Sequence, residues 1–435
     1  MKKKLVRAAL VASLSVFAAG TALTATQAVA ASSDQSKDKP APTISKSIGK
    51  PIAEAQKALQ AKDWPTALAK LKEAGAVADL TDFDKYIINY FTGLAAYNSG
   101  DKATAATAFL AAAESTAAPP EEHASALRIA MELQNETQNY AKVIELGKVA
   151  EQAGPLDPTV AGVIGSAYYN TKDYANAEKY AQQSIDGNIK AGKLPDRTAY
   201  QIVLMSQNRQ KDVPGETKTL ETMAQNYGNA DDWGNLLDIS LGTLPVSNKG
   251  YRETGALFIY RLRFATGATT SADDYKLSAQ LALGLHDPGD AQQALQEGLS
   301  KGVLNQAQIG ALLQKADAAA RTDEATLTAA DAAAARSKAS KEDVQVAEGY
   351  FGYGKYADAI RVAQRAIAKG GRDAIEAQLL LGAAQACNGD NAAAAQSLAM
   401  VKGDPVLERA AYLWSLYATR KYGQTPAVAP APASH

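Results

Sequence analysis

Side chains that could perform chemistry are few and widely separated in this sequence. The chain has three histidines, His123, His286 and His435, and a single cysteine, Cys387. A zinc site uses His and Cys ligands at short spacings such as HExxH or CxxC, and neither spacing occurs. We therefore expect no metal and no cofactor. The histidines are expected to be solvated or half-packed, and Cys387 to be a small buried hydrophobic residue in an Ala-rich helix.

Two short stretches match enzyme motifs. "GYFGYGKY" (Gly349–Tyr356) contains the GxxxxGK of a phosphate-binding loop. Such a loop needs Ser or Thr after the Lys and a strand before it, whereas Tyr356 follows here and the preceding "KEDVQVAEG" has a helical pattern. "SIGK" (Ser47–Lys50) matches the SxxK of serine acyl enzymes, but neither SDN nor KTG follows it. We expect neither match to be functional, and we predict that the protein is not an enzyme.

Residues 1–30 have the composition of a targeting segment. A basic start, "MKKKLVR", precedes the apolar run "AALVASLSVFAAGTAL" and the small residues "AVA" at Ala28–Ala30. This is the build of a secretory signal peptide, so we predict cleavage after Ala30 and a periplasmic or secreted protein. The alternative is an N-terminal membrane anchor. No later run reaches the roughly 18 apolar residues that a membrane span requires, so we expect no transmembrane span after cleavage.

The charge balance disfavours nucleic acid as a partner. The whole chain has a formal net charge of −1, and residues 1–30 hold four basic residues and no acid, which leaves −5 for the remainder. A protein that binds nucleic acid or an anionic membrane surface usually presents a basic patch instead. We therefore expect other proteins as partners.

A repeated pattern indicates the elements that would position any site. In "IGSAYYNTKDYANAEKYAQQSI" (Ile164–Ile185), Gly165, Tyr168, Asp173, Tyr174 and Ala177 lie at offsets 0, 3, 8, 9 and 12. The position of Ala177 recurs at residues 67, 105, 143, 294, 359 and 394. Neighbouring steps are 38, 38, 34 and 35 residues, and the gaps of 117 and 65 fit three and two divergent units. This pattern resembles the tetratricopeptide repeat (TPR), a helix–turn–helix of about 34 residues.

The resemblance implies an all-α fold, a right-handed superhelical solenoid of about ten TPR-like units with a C-terminal capping helix. Small residues such as Gly165 and Ala177 fit points where two helices approach closely, and "TKD" and "SGD" are predicted turns in which Asp caps the second helix. The predicted organisation after the signal peptide is a disordered linker (31–46), N-terminal TPR units (47–194), divergent helical units (195–303), C-terminal TPR units (304–404), a capping helix (405–422) and a disordered Pro/Ala tail (423–435).

In the TPR family, the first helix of each unit lines a concave groove that binds peptides or helices of other proteins. Tyr and Asn suit that role, since Tyr offers apolar area with one hydroxyl and Asn can pair with a peptide backbone. The alternative is that each is an ordinary packed or solvated repeat residue. The resemblance implies that the groove-facing residues include Tyr90, Leu94, Tyr97, Asn98, Ser166, Tyr169, Asn170, Lys341, Glu348 and Phe351.

A second candidate surface lies in "YRETGALFIYRLRFATG" (Tyr251–Gly267), where Tyr260, Arg261 and Arg263 form an aromatic and basic cluster. The alternative is that the apolar face of this helix packs into the solenoid while the two arginines extend their head groups to water.

The sequence therefore favours a non-catalytic interaction scaffold of the bacterial periplasm or cell envelope. A structural oligomer, a subunit of a secretion or polymer-export system, and a helical accessory to a cell-wall enzyme are the alternatives.

Overall fold

Helix-forming composition dominates the chain. The computed structural model describes residues 43–247 and 250–420. The predicted signal peptide, most of the predicted linker and the Pro/Ala tail lie outside these residues. The described residues contain no strand and form twenty helices: α1 (Lys46–Gln60), α2 (Trp64–Gly75), α3 (Asp82–Ser99), α4 (Lys102–Ala113), α5 (Pro120–Glu136), α6 (Tyr140–Ala153), α7 (Pro158–Asn170), α8 (Tyr174–Lys190), α9 (Arg197–Gln210), α10 (Val213–Tyr227), α11 (Ala230–Gly242), α12 (Arg252–Thr266), α13 (Ala272–Gly284), α14 (Pro288–Ser300), α15 (Gln306–Arg336), α16 (Lys341–Gly352), α17 (Tyr356–Lys369), α18 (Ala374–Cys387), α19 (Asn391–Ala399) and α20 (Pro405–Ala418).

Helical hairpins with one shared turn geometry make up most of the fold. Seven pairs of consecutive helices in the described residues pack as hairpins: α1–α2, α3–α4, α5–α6, α7–α8, α13–α14, α16–α17 and α18–α19. Each turn contains one residue in the left-handed region, with φ between 60° and 92°, directly before the N-cap residue of the next helix. In the "TKD" turn this residue is Lys172, and the Asp173 side chain accepts a hydrogen bond from the Asn176 backbone N–H. The predicted turns and Asp caps are confirmed here.

Close helix contact explains the small residues of the repeat. A Cβ atom on Gly165 would lie 2.9 Å from the backbone nitrogen of Ala181 and 3.1 Å from the carbonyl oxygen of Ala177. Both of those residues lie on α8, and Ala177 is fully buried. The backbones of α7 and α8 therefore touch at Gly165, as the sequence predicted.

The repeat is interrupted by one long helix. The spacing predicts a further unit between positions 294 and 359, but α15 is a single helix of 31 residues. Its sequence contains no Pro, and its only Gly, Gly310, lies near the start of the helix. The remainder has no turn signal and is rich in Ala, the residue with the highest helix propensity. The described residues thus hold seven hairpins, fewer than the about ten units expected.

The chain divides into two units, residues 1–210 and 211–435. The described part of unit 1 contains α1 to α9, and its apolar core runs without interruption from Ile48 on α1 to Tyr180 on α8. The described part of unit 2 contains α10 to α20. Helix α9 was predicted to open the divergent segment and belongs to unit 1.

In unit 2, the C-terminal helix packs in the interior. A capping helix is expected to contact only the repeat before it, yet α20 packs against α10 and α12 as well as α18 and α19. Trp414 is fully buried, and its Nε1–H donates to the carbonyl oxygen of Phe258, 3.0 Å away on α12. Gly255 admits this approach, because a Cβ there would lie 2.2 Å from Cγ1 of Val406. α20 therefore closes unit 2 against α12.

None of the described helices combines the length and the apolar character needed to cross a membrane.

Candidate functional site

The predicted groove residues on α3 fall into two groups. Tyr90 and Leu94 are buried, and the Tyr90 ring packs edge-on against Phe109 of α4 at a centroid distance of 5.9 Å. They belong to the hairpin core and cannot meet a partner. Tyr97 and Asn98, nearer the end of the helix, are half-buried and remain partly accessible.

The predicted residues on α7 stay accessible together. Ser166 and Tyr169 are half-buried and Asn170 is exposed. The Tyr169 ring contacts the Tyr174 ring at 5.6 Å, which fixes its position beside the turn. This part of the predicted face is therefore available to a partner.

Asn98 and Asn170 make the same hydrogen bond in different hairpins. The Asn98 Nδ2 donates to the carbonyl oxygen of Leu94 at 2.8 Å, and the Asn170 Nδ2 donates to that of Ser166 at 2.8 Å. Each amide group is thereby held against its own helix by a bond to the residue four positions earlier. The carboxamide oxygen then remains as an acceptor at both positions.

Helix α5 supplies residues that the sequence prediction missed. Asn135 lies 38 residues after Tyr97 and 34 before Tyr169, so it occupies the same register. Its Oδ1 is buried without a hydrogen-bond partner. Arg128 and Glu132, two turns and one turn earlier, form an ion pair with 2.8 Å between Nη1 and Oε1. The match of Val143 to the repeat frame could have identified all three. In this unit, however, Met131 and Gln134 replace the Gly and Tyr that mark the first helix of the unit around Gly165.

Helices α3 and α5 are neighbours, because the Tyr86 hydroxyl of α3 donates to Glu122 Oε2 of α5 at 3.2 Å. Burial raises the pKa of the Tyr97 hydroxyl, and the nearby carboxylates Glu132 and Glu136 raise it further. Helix α5 in turn packs against α7. We call the resulting surface the unit 1 face; it comprises Tyr97, Asn98, Arg128, Glu132, Asn135, Ser166, Tyr169 and Asn170.

The predicted groove residues on α16 do not form such a face. Lys341 is exposed, but Glu348 and Phe351 are buried. The Phe351 ring meets the Trp414 ring edge-on at 6.4 Å, so α20 occupies the space in front of it. The prediction of a partner groove at Glu348 and Phe351 is corrected: Arg261 of α12 pairs with Glu348, and Trp414 of α20 covers Phe351.

The predicted second surface is also corrected. Arg261 and Arg263 are only 5% and 3% exposed, and Tyr260 is half-buried. Arg263 pairs with Asp274 at 3.0 Å and also with Asp238. Both guanidinium groups lie inside unit 2, because acids from other helices compensate their charge. These acids are distant in sequence and are not visible in a local pattern.

The remaining candidates for chemistry have structural partners. The His123 Nε2 lies 2.8 Å from the carbonyl oxygen of Ala113, and His286 sits exposed in a turn. Lys355, in the stretch that matches a phosphate-binding loop, pairs with Glu324 at 2.8 Å. Burial raises the pKa of the half-exposed Cys387 thiol to about 12. Among the described residues, no group of three or more His, Cys, Asp or Glu side chains is placed to hold a metal ion.

No protein-family model and no curated protein matches this sequence. A solved tetratricopeptide repeat protein from Parabacteroides merdae is 15% identical, with a TM-score of 0.35, and the match covers 62% of this chain and 99% of that chain. The structure of Naa15/Naa10 bound to HypK-THB is 11% identical, with a TM-score of 0.38, and the match covers 82% of this chain and 63% of that chain. The pentatricopeptide repeat protein PPR10 from maize is 12% identical, with a TM-score of 0.33, and the match covers 85% of this chain and 62% of that chain. The hairpins and turns described above make this chain a TPR-like helical-repeat protein.

Proposed function

We propose that this protein is a non-catalytic interaction scaffold and that the unit 1 face binds an extended segment of another protein. The observation that carries the proposal is the contrast between the two units. The first helices of three successive hairpins in unit 1 keep polar side chains partly accessible, with a tyrosine on α3 and on α7. On α16, by contrast, Arg261 of α12 and Trp414 of α20 cover Glu348 and Phe351.

The chemistry of the face defines the kind of segment. The carboxamide oxygens of Asn98 and Asn170 are oriented acceptors. Acceptors of this kind pair with backbone N–H groups of an extended chain. Tyr97 and Tyr169 add rigid apolar area at a small cost in side-chain entropy. The expected ligand is an extended peptide with apolar side chains beside its free N–H groups.

Site-specific crosslinking tests this proposal. A photoreactive phenylalanine analogue at position 97 or 169 is expected to crosslink the partner in envelope extracts. The matched control is the same analogue at Lys148, which is exposed on α6, the second helix of its hairpin. Asn98→Ala and Asn170→Ala are expected to reduce the crosslink. Equal crosslinking from position 148, or none from 97 and 169, would rule out the unit 1 face as the binding site.

We further propose that the protein acts in the periplasm or cell envelope. The basic, apolar and small-residue segments of residues 1–30 support this location. N-terminal sequencing of the protein from the envelope fraction is expected to start at Ala31. An intact Met1 on the envelope-bound protein would support the membrane anchor instead.

A further inference from the structure

In the interior of unit 2, three carboxyl groups lie 2.5 to 3.8 Å from one guanidinium group, and a fourth, half-buried carboxyl interacts with them electrostatically. Arg261 projects from α12 between the rings of Phe258 and Phe351, 4.8 and 4.6 Å from its Cζ atom. The acids come from three other helices or their starts. We call them the carboxyl cluster: Asp287 and Asp290 at the start of α14, Glu348 on α16 and Glu376 on α18.

Arg261 engages two of these carboxyls closely. Its Nη2 lies 2.6 Å from Asp290 Oδ2, and its Nη1 lies 2.5 Å from Glu348 Oε2. Asp287 is farther away, with 3.8 Å between its Oδ2 and Nη2. Glu348 is only 6% exposed, and its Oε1 is buried without any hydrogen-bond partner. A single cation thus leaves an oxygen atom of the cluster uncompensated.

The charge balance of this interior is unfavourable if every acid is ionised. Four carboxylates and one guanidinium would leave three negative charges in excess. An uncompensated buried charge is costly, and a buried acid usually takes up a proton instead of remaining ionised. Neighbouring carboxylates also disfavour one another's ionisation, so that such groups share protons.

The groups that face the cluster supply no further compensating charge close by. Tyr356 on α17 and Cys387 on α18 are both neutral at ordinary pH, because burial raises the pKa of each. Asp373 adds a further negative charge near Glu376. Two further cations lie in this region: Arg420 acts on Cys387, and Arg372 acts on Tyr251, on which Glu376 and Asp373 also act.

We propose that unit 2 contains a proton-binding site at the carboxyl cluster, which holds at least one proton at neutral pH, and that loss of this proton loosens the packing of α12, α14, α16 and α18. The proton occupies an oxygen that Arg261 does not reach, and the acids share it. The folded unit is therefore more stable in mildly acidic than in alkaline solution.

The shifts in pKa have the direction that this site requires. Burial raises the pKa of Glu348, and burial together with Glu348 raises that of Asp287. Burial and the negative charge of Glu348 raise the pKa of Glu376 from 4.5 to about 8. The unfolded chain releases such a proton near the ordinary value, whereas the folded unit retains it. The stabilisation is therefore complete below pH 4.5 and is lost as the pH rises towards 8.

Unfolding of the full-length protein across this pH range tests the site. Trp233 and Trp414 both lie in unit 2, and Trp64 is the only tryptophan of unit 1. A Trp64→Phe background therefore makes the fluorescence report on unit 2 alone. For each bound proton, the folding equilibrium constant is expected to fall up to about tenfold per pH unit in this window.

Variants identify the source of the effect. Glu348→Gln is expected to flatten the pH dependence and to be more stable than the parent protein in alkaline solution, since Arg261 keeps Asp290. Glu342→Gln is the matched control, because Glu342 is exposed on the same helix, and it should retain the parent's slope. A parent protein without pH dependence, or equal slopes in the two variants, would overturn the proposal.

A direct proton count keeps the proposal testable if Glu348→Gln does not fold. Denaturing the parent protein in weakly buffered solution at neutral pH is expected to release about one proton per chain. An unchanged solution pH on unfolding would show that the cluster holds none.

Discussion

At the scale of single residues, position on a helix decides whether a tyrosine can serve binding or packing. Tyr90 and Tyr97 lie seven positions apart on α3, yet the first fills the hairpin core and the second stays partly accessible. The residues that make the repeat recognisable also belong to the structural group rather than to the accessible one. Gly165 and Lys172 serve the helix contact and the turn of their hairpin, so substitutions at either position should act through stability and leave the unit 1 face in place.

Gly165→Ala is expected to destabilise unit 1 by about 1–3 kcal/mol, because the added methyl group meets backbone atoms of α8 that cannot move independently. The measurement is the free energy of unfolding followed by Trp64 fluorescence. Gly49→Ala on α1 is the control, since no atom lies within 4 Å of its Cβ position. That change should stabilise by up to about 1 kcal/mol through helix propensity, and a similar loss in both variants would contradict the contact.

Lys172→Gly is expected to leave unit 1 as stable or to stabilise it by up to about 1 kcal/mol. Lys172 has φ 65°, a conformation that costs a residue with a Cβ about 1–2 kcal/mol and costs Gly nothing. The same change at Gln183, exposed on α8, should destabilise by about 1 kcal/mol. Denaturant midpoints of the two variants provide the comparison, and a loss at position 172 as large as at 183 would count against turn strain.

At the scale of elements, a network of ion pairs holds the long helix α15 to α17. Both oxygens of Asp331 pair with arginines of α17, at 2.6 Å to Arg361 and 2.6 Å to Arg365. The Tyr350 hydroxyl of α16 donates to Asp331 Oδ2 at 3.2 Å. α15 thus replaces a hairpin in the repeat and remains in register with the next hairpin through polar contacts.

Asp331→Asn is expected to destabilise unit 2 by about 1–3 kcal/mol at neutral pH, since it removes charge-assisted hydrogen bonds in a mostly buried position. Burial alone would raise the pKa of Asp331, but the hydrogen bonds from Arg361 and Arg365 outweigh it and the pKa is lowered. Its contribution is therefore lost as the pH falls through this lowered value. Thermal unfolding of the variant should thus differ least from the parent in strong acid.

Asp358→Asn is the control for this prediction. Asp358 pairs only at the surface with Arg361, where both side chains are about half exposed, so the expected change is below about 1 kcal/mol. Equal destabilisation by the two variants would show that the mostly buried ion pairs of Asp331 stabilise unit 2 no more than the surface pair of Asp358.

At the scale of the whole chain, the two units differ in how accessible the first helices of their hairpins are. Unit 1 leaves the ends of α3, α5 and α7 accessible, whereas unit 2 covers α16 with side chains of α12 and α20 and encloses charged groups. The proposed binding face therefore lies on unit 1, and we expect the stability of unit 2 to depend on α20.

Trp414→Ala is expected to cost unit 2 about 3–5 kcal/mol, because it leaves a large cavity and frees the Phe258 carbonyl. Trp233 fluorescence should report the loss, while the Trp64 signal of unit 1 stays unchanged. Tyr412→Phe on the same helix retains its ring, which is 44% exposed, and should cost about 1 kcal/mol or less. Destabilisation of both units by Trp414→Ala would contradict independent cores.

Local features of the fold could be predicted from the sequence, and distant ones could not. Gly165 and Ala177 revealed the hairpins because helix contact and turn geometry repeat at a fixed spacing. Arg261 and Glu348 lie 87 positions apart, so the pattern gave no indication that they meet. The register located Tyr97 and Asn170 on an accessible face, but it carried no information on whether another helix covers Phe351.

The packing of α20 against α12 also has a consequence for the order of folding. In unit 1, each hairpin packs mainly on its sequence neighbours, so this unit can form progressively as the chain leaves the ribosome. In unit 2, the bond between Phe258 and Trp414 joins residues 156 positions apart, and contacts of such long range slow folding. Unit 2 cannot complete its core until residues 405–418 have been synthesised, so we expect it to complete its folding later than unit 1.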